Sequence, residues 1–129
     1  MISNISNTLF EKYTLPQSYI DFISTNPTDA LRGKSIDDVE IYNIFNFDQN
    51  EMTNIYSMNK LMTEEWGYPE GYVYICDSPS AGHDMIALDY SECGPNGEPK
   101  VVHIDQDMNY KITKLAEDFT EFIKVINNS

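Results

Sequence analysis

Cations are scarce in this chain. Lysine and arginine together number 8 in 129 residues, against 21 aspartates and glutamates, and the formal net charge is −13. Such a surface repels phosphate backbones, which excludes direct nucleic-acid binding and favours basic partners. Long apolar runs are missing as well. No stretch approaches the roughly 18 residues that a membrane span needs, so no membrane contact is expected. The start, Met1-Ile-Ser-Asn-Ile-Ser-Asn7, has neither the basic nor the apolar part of a secretion signal. A cytoplasmic location is therefore the expectation. The two cysteines, Cys76 and Cys93, fit no metal spacing and are expected as free thiols, one of them buried. With only two histidines, His83 and His103, the ligand set that His83-Asp84 would need in a metal phosphohydrolase is incomplete. No metal and no cofactor are expected.

The apolar material that is present suffices for a core. Hydrophobic residues make up 41% of the chain and aromatics 12%, which argues for one packed domain over 1–129 rather than a disordered segment. The acid is unevenly spread. Residues 1–34 and 111–129 are each neutral, residues 35–80 hold nine acids against Lys60, and residues 81–110 hold six against Lys100. The whole surplus lies between the terminal segments.

Tyr72–Asp107 organises the rest. Tyr72–Cys76, Met85–Tyr90 and Lys100–Ile104 have strand length, and the connectors between them are rich in Gly, Pro, Asn and Ser, as turns require. An antiparallel three-stranded meander follows. Before it, Ser6–Tyr13 has the pattern of a short helix. Thr14-Leu-Pro-Gln17 is a helix start with a capping hydroxyl, and the stripe Tyr19, Ile20, Phe22, Ile23 continues to Asn26-Pro27. Val39–Phe47 reads as a strand. Ile55, Met58, Leu61 and Met62 predict a helix over 52–65, broken at Trp66-Gly-Tyr-Pro69. Trp66 is expected to plug the core beneath a loop. After the meander, Leu115, Phe119, Phe122, Ile123 and Ile126 predict a helix capped by Thr113. The expected fold is α+β: a sheet of about four or more strands, antiparallel with a mixed arrangement possible, and helices packed on it.

Chemical motifs fall short. Asp105-Gln-Asp107-Met-Asn109 starts like a calcium loop, but the sixth position is Tyr110 where glycine is needed and the twelfth is Ala116 where glutamate is needed. Ser80 and His83 lie close in sequence without a Gly-x-Ser-x-Gly elbow. Gly94 and Gly97 are turn glycines, since no helix follows to hold a phosphate. His83, Asp84, Asp89, His103, Asp105 and Asp107 are numerous enough to suggest a metal cluster, yet strand alternation separates some of them.

Several stretches together resemble the SMI1/KNR4 (SUKH) superfamily. They are Leu15-Pro16 opening a helix, Trp66-Gly-Tyr-Pro69, Ala81–Tyr90, Gly97–Gln106 and Ile112–Phe122. Residues 26–51 depart from it, lacking the glycine-rich segment often found after the first helix. The resemblance implies an α+β fold and, as for many bacterial members, an immunity protein that neutralises a cognate polymorphic toxin, often a nuclease or a deaminase. It brings no catalytic triad.

The expected function is therefore that of a non-enzymatic cytoplasmic immunity protein, monomeric or weakly dimeric, occluding a basic toxin domain. Exposed acids are the expected contacts: Asp48, Glu51, Glu64, Glu65 and Glu70, then Asp84, Asp105 and Asp107. The alternatives are a scaffold or regulatory module that binds an endogenous protein, and an enzyme built on His83 and Asp84.

Overall fold

A computed structural model of the chain describes residues 12–127. Its elements are α1 (Gln17–Thr25), β1 (Ser35–Ile36), β2 (Val39–Glu40), α2 (Ile55–Glu64), β3 (Tyr72–Asp77), β4 (Asp84–Asp89), β5 (Lys100–Asp105), a 3₁₀ turn (Gln106–Met108), β6 (Lys111–Ala116) and α3 (Phe119–Asn127). The fold is α+β, with a four-stranded sheet in the order β3-β4-β5-β6 and a small β1–β2 hairpin. Every pairing within the sheets is antiparallel.

The expected meander forms the first three strands of the main sheet. Tyr72 pairs with Asp89, and Leu88 with Val101. Val73–Cys76 and Met85–Tyr90 are buried without alternation, so both faces of β3 and β4 are covered. The rings of Tyr19 and Phe22 meet Phe119 edge-on at 5.3 and 6.0 Å, joining α1 to α3, and α3 also lies against β5 and β6. Tyr68 makes similar edge contacts with Tyr74 and Tyr110, at 5.4 and 5.2 Å.

The outer edge of β3 is closed in two ways. Near its end, the Tyr42 N–H donates to Asp77 O and the Phe45 N–H to Ile75 O. Nearer its start, the buried Asn59 side chain on α2 accepts from Tyr74 N at 2.7 Å and donates to Tyr74 O at 2.9 Å. One amide thus replaces a neighbouring strand residue, beside the bulge between Tyr74 and Cys76.

Several expectations need correction. Val39–Phe47 is not one strand. Asp37 and Asp38 turn with positive φ (49° and 68°) into the β1–β2 hairpin, and beyond Glu40 only isolated bridges at Ile44 and Asn46 remain. The final helix begins at Phe119 and is not capped by Thr113, because Lys111–Ala116 pairs with β5 as a fourth strand. Asp118 is its cap, accepting from Glu121 N at 2.8 Å. Thr14 does not cap α1; its hydroxyl donates to Asn96 Oδ1 in the β4–β5 connector. On α2, Asn54 is the cap, Leu61 is exposed, and Tyr56 and Asn59 take the inward face with Ile55 and Met62. The short helix expected over Ser6–Tyr13 falls almost wholly outside the described residues.

Candidate functional site

In an antiparallel sheet alternate connectors share an end. The β3–β4 connector (78–83) and the β5–β6 connector (106–110) therefore meet beside Asp77, Asp84, Asp105 and Lys111. Gln106 N–H donates to His83 O at 2.9 Å, tying one connector to the other. The His83 Nδ1 atom lies 3.0 Å from Asp107 Oδ1. Residues 66–68, just past α2, complete this end of the sheet. Trp66 meets the His83 ring edge-on at 5.7 Å. Its carbonyl accepts from Tyr110 OH at 2.6 Å, and Tyr68 OH donates to Gly82 O at 2.7 Å. Burial, followed by the nearby Asp84, pushes the Tyr68 phenol well up, so it remains a neutral donor.

Asp84 is the most heavily engaged acid. It accepts from Ser78 Oγ at 2.5 Å, from Ser80 Oγ, and lies 2.7 Å from His103 Nε2. Burial opposes its charge, but the hydrogen bonds from His103, Ser78 and Ser80 prevail and bring it down to about 2. Both serine hydroxyls point at the carboxylate rather than at an imidazole, so nothing here activates them as nucleophiles. Among the described residues, no three His, Cys, Asp or Glu side chains converge in a geometry that could hold a metal ion. Cys76 is buried and free, and Cys93 is exposed and free. Burial raises both thiols, Cys76 strongly, away from the reactive thiolate.

The eight predicted contact acids divide into separate groups. Glu64 and Glu65 end α2 immediately before Trp66, and Asp105 and Asp107 lie across the same sheet end; all but the half-buried Asp105 are exposed. Asp84 sits among them but is half-buried and turned inward. Asp48 and Glu51 precede α2, whose 10 residues place them about 15 Å from Glu64 along the helix axis. Glu70 adjoins Gly71, which accepts from Tyr90 at the opposite end of the sheet, and it pairs with Lys12 at 3.6 Å.

Sequence reading gave Trp66 only a packing role and overlooked Met108. Trp66 packs against the core beneath Gly82 of the β3–β4 connector, as expected, but stays half-buried, and Met108, between Asp107 and Asn109, is 59% exposed. An apolar residue within a turn between two strands was the available signal for Met108. A groove of about 310 Å³ between α1 and α3, floored by Phe22, Phe119 and Ile123, contains none of the predicted residues.

The chain matches the SMI1 / KNR4 family (SUKH-1) over residues 1–125 of its 129. It belongs to that family. No curated protein and no solved structure matches it. Two of the stretches that carry the resemblance, Trp66-Gly-Tyr-Pro69 and Ala81–Tyr90, are those joined here by the Tyr68–Gly82 and Trp66–His83 contacts. In this SMI1/KNR4 domain the motif residues shape one sheet end. Among its described residues, no helix is long and apolar enough to cross a membrane.

Proposed function

We propose that this SMI1/KNR4 domain is a non-enzymatic immunity protein, which binds a basic, nucleic-acid-targeting toxin domain through its acidic surface and occludes it. One observation carries the reading. Among the described residues, Asp37, Asp38, Glu40, Asp48, Glu51, Glu64 and Glu65 are exposed and have no cationic partner. A toxin that acts on nucleic acid must present a basic groove to phosphates. An acidic protein surface competes for that groove and speeds encounter by steering. Family membership supports a protein as the partner, and the engaged Ser78, Ser80 and Asp84 give no support to catalysis.

The test is co-purification with the product of the neighbouring gene. A stable complex with a secreted protein's toxin-like C-terminal domain, which loses its activity on binding, is expected. Free toxin activity in the presence of excess chain contradicts the reading.

A further inference from the structure

We propose that Trp66, His83 and Met108, edged by Glu64, Glu65 and Asp107, form the docking surface of this chain for an arginine-bearing protein face. The proposal rests on the function argued above and goes further, to a place and a chemistry.

The surface has the composition of an interface centre rather than of an acidic stretch. It holds the chain's single tryptophan, half-buried, against the exposed His83 ring; His83 in turn meets Asp107, whose chain neighbour Met108 is 59% exposed. Tryptophan and methionine are enriched in protein contacts. The group is held rigidly. Asn109 and Tyr110 follow Met108 with two consecutive left-handed conformations (φ 58° and 59°), and Tyr110 is anchored to the Trp66 carbonyl.

The placement of two acids is a separate observation. Glu64 and Glu65 lie at the C-terminal end of α2, where the helix dipole is negative, and no basic residue occupies the last turn. Carboxylates are disfavoured at that position. Among the described residues neither has a cationic partner within the chain. A cation from outside would relieve both. Arginine suits the surface better than lysine, because its planar guanidinium can lie against an indole while bonding carboxylates.

Trp66 is its own reporter, since no other tryptophan contributes emission. A labelled, tryptophan-free oligo-arginine peptide is titrated into the chain, with binding followed by label anisotropy and by Trp66 emission. An oligo-lysine peptide of equal charge serves for comparison. Both signals should saturate together, with the arginine peptide roughly fivefold tighter, the scale of one guanidinium–indole contact. Glu64→Gln with Glu65→Gln, and separately Met108→Ser, should weaken binding. Asp48→Asn with Glu51→Gln should weaken it less. Anisotropy showing binding while Trp66 emission stays unchanged, or the distant pair mattering as much, overturns this surface and leaves the acidic-module reading standing. Equal affinity for the two peptides overturns the choice of arginine. No binding in either signal overturns both.

Discussion

At Gly82 two demands coincide. Its φ of +98° lies where side chains are rarely tolerated, and an added Cβ would sit 3.1 Å from the Trp66 ring. Gly82→Ala should therefore lower stability by about 1–2 kcal/mol, read as a lower urea midpoint at unchanged slope. Asp84, two residues on, sets an acid limit. Its carboxyl lies at about 2 when folded, below the roughly 3.9 of an unfolded aspartate. The unfolded chain thus binds this proton more readily, and the stabilisation is complete above about pH 4 and lost as pH falls towards 2. Urea unfolding of the native chain and Asp84→Asn should show their stability difference shrinking across that window. Gly82 was legible as a turn glycine from its neighbours Pro79 and Ser80. That Asp84 would reach His103 was not, because that contact needs the register of two strands.

Asn59 carries the largest single consequence among the elements. Replacing it with leucine leaves Tyr74 N–H and C=O at a buried edge without partners. A loss of about 2–4 kcal/mol is expected in denaturant unfolding. The end of α2 should respond in the opposite direction. Glu64→Gln with Glu65→Gln removes charge from the unfavourable pole of the helix dipole and should raise stability by about 0.3–1 kcal/mol, measurable as a higher urea midpoint. A gain in stability with a loss of binding separates a functional charge from a structural one. Periodicity showed α1, most of α2 and three strands, because turn residues bound each run. It missed β6 for a specific reason. Leu115 lies four residues before Phe119, so a helical stripe absorbed it, while Lys111–Lys114 is exposed on both sides of the edge and shows no alternation. Val39–Phe47 misled in the opposite way: Ile41, Ile44 and Phe45 are buried, but only Val39 and Glu40 pair as a strand, and beyond them the segment touches the β3 edge at single points.

Across the whole molecule the charge map of the sequence acquires a direction. The neutral terminal segments supply α1, β6 and α3. The acid-rich middle supplies α2 and the sheet end around Trp66 and His83. The acid surplus was legible from composition alone; that Trp66, His83 and Asp107 would meet at one end of the sheet was not, since it depends on which connectors share that end. The most direct test of the proposed immunity role is the affinity for the protein encoded next to this chain, measured by calorimetry at low and high salt. The native chain should be compared with one carrying Asp48→Lys, Glu51→Lys, Glu64→Lys, Glu65→Lys and Glu70→Lys. Tight binding that weakens steeply with salt, and is lost with the reversed charges, is the predicted result. Binding of equal strength in both proteins, indifferent to salt, would contradict the account.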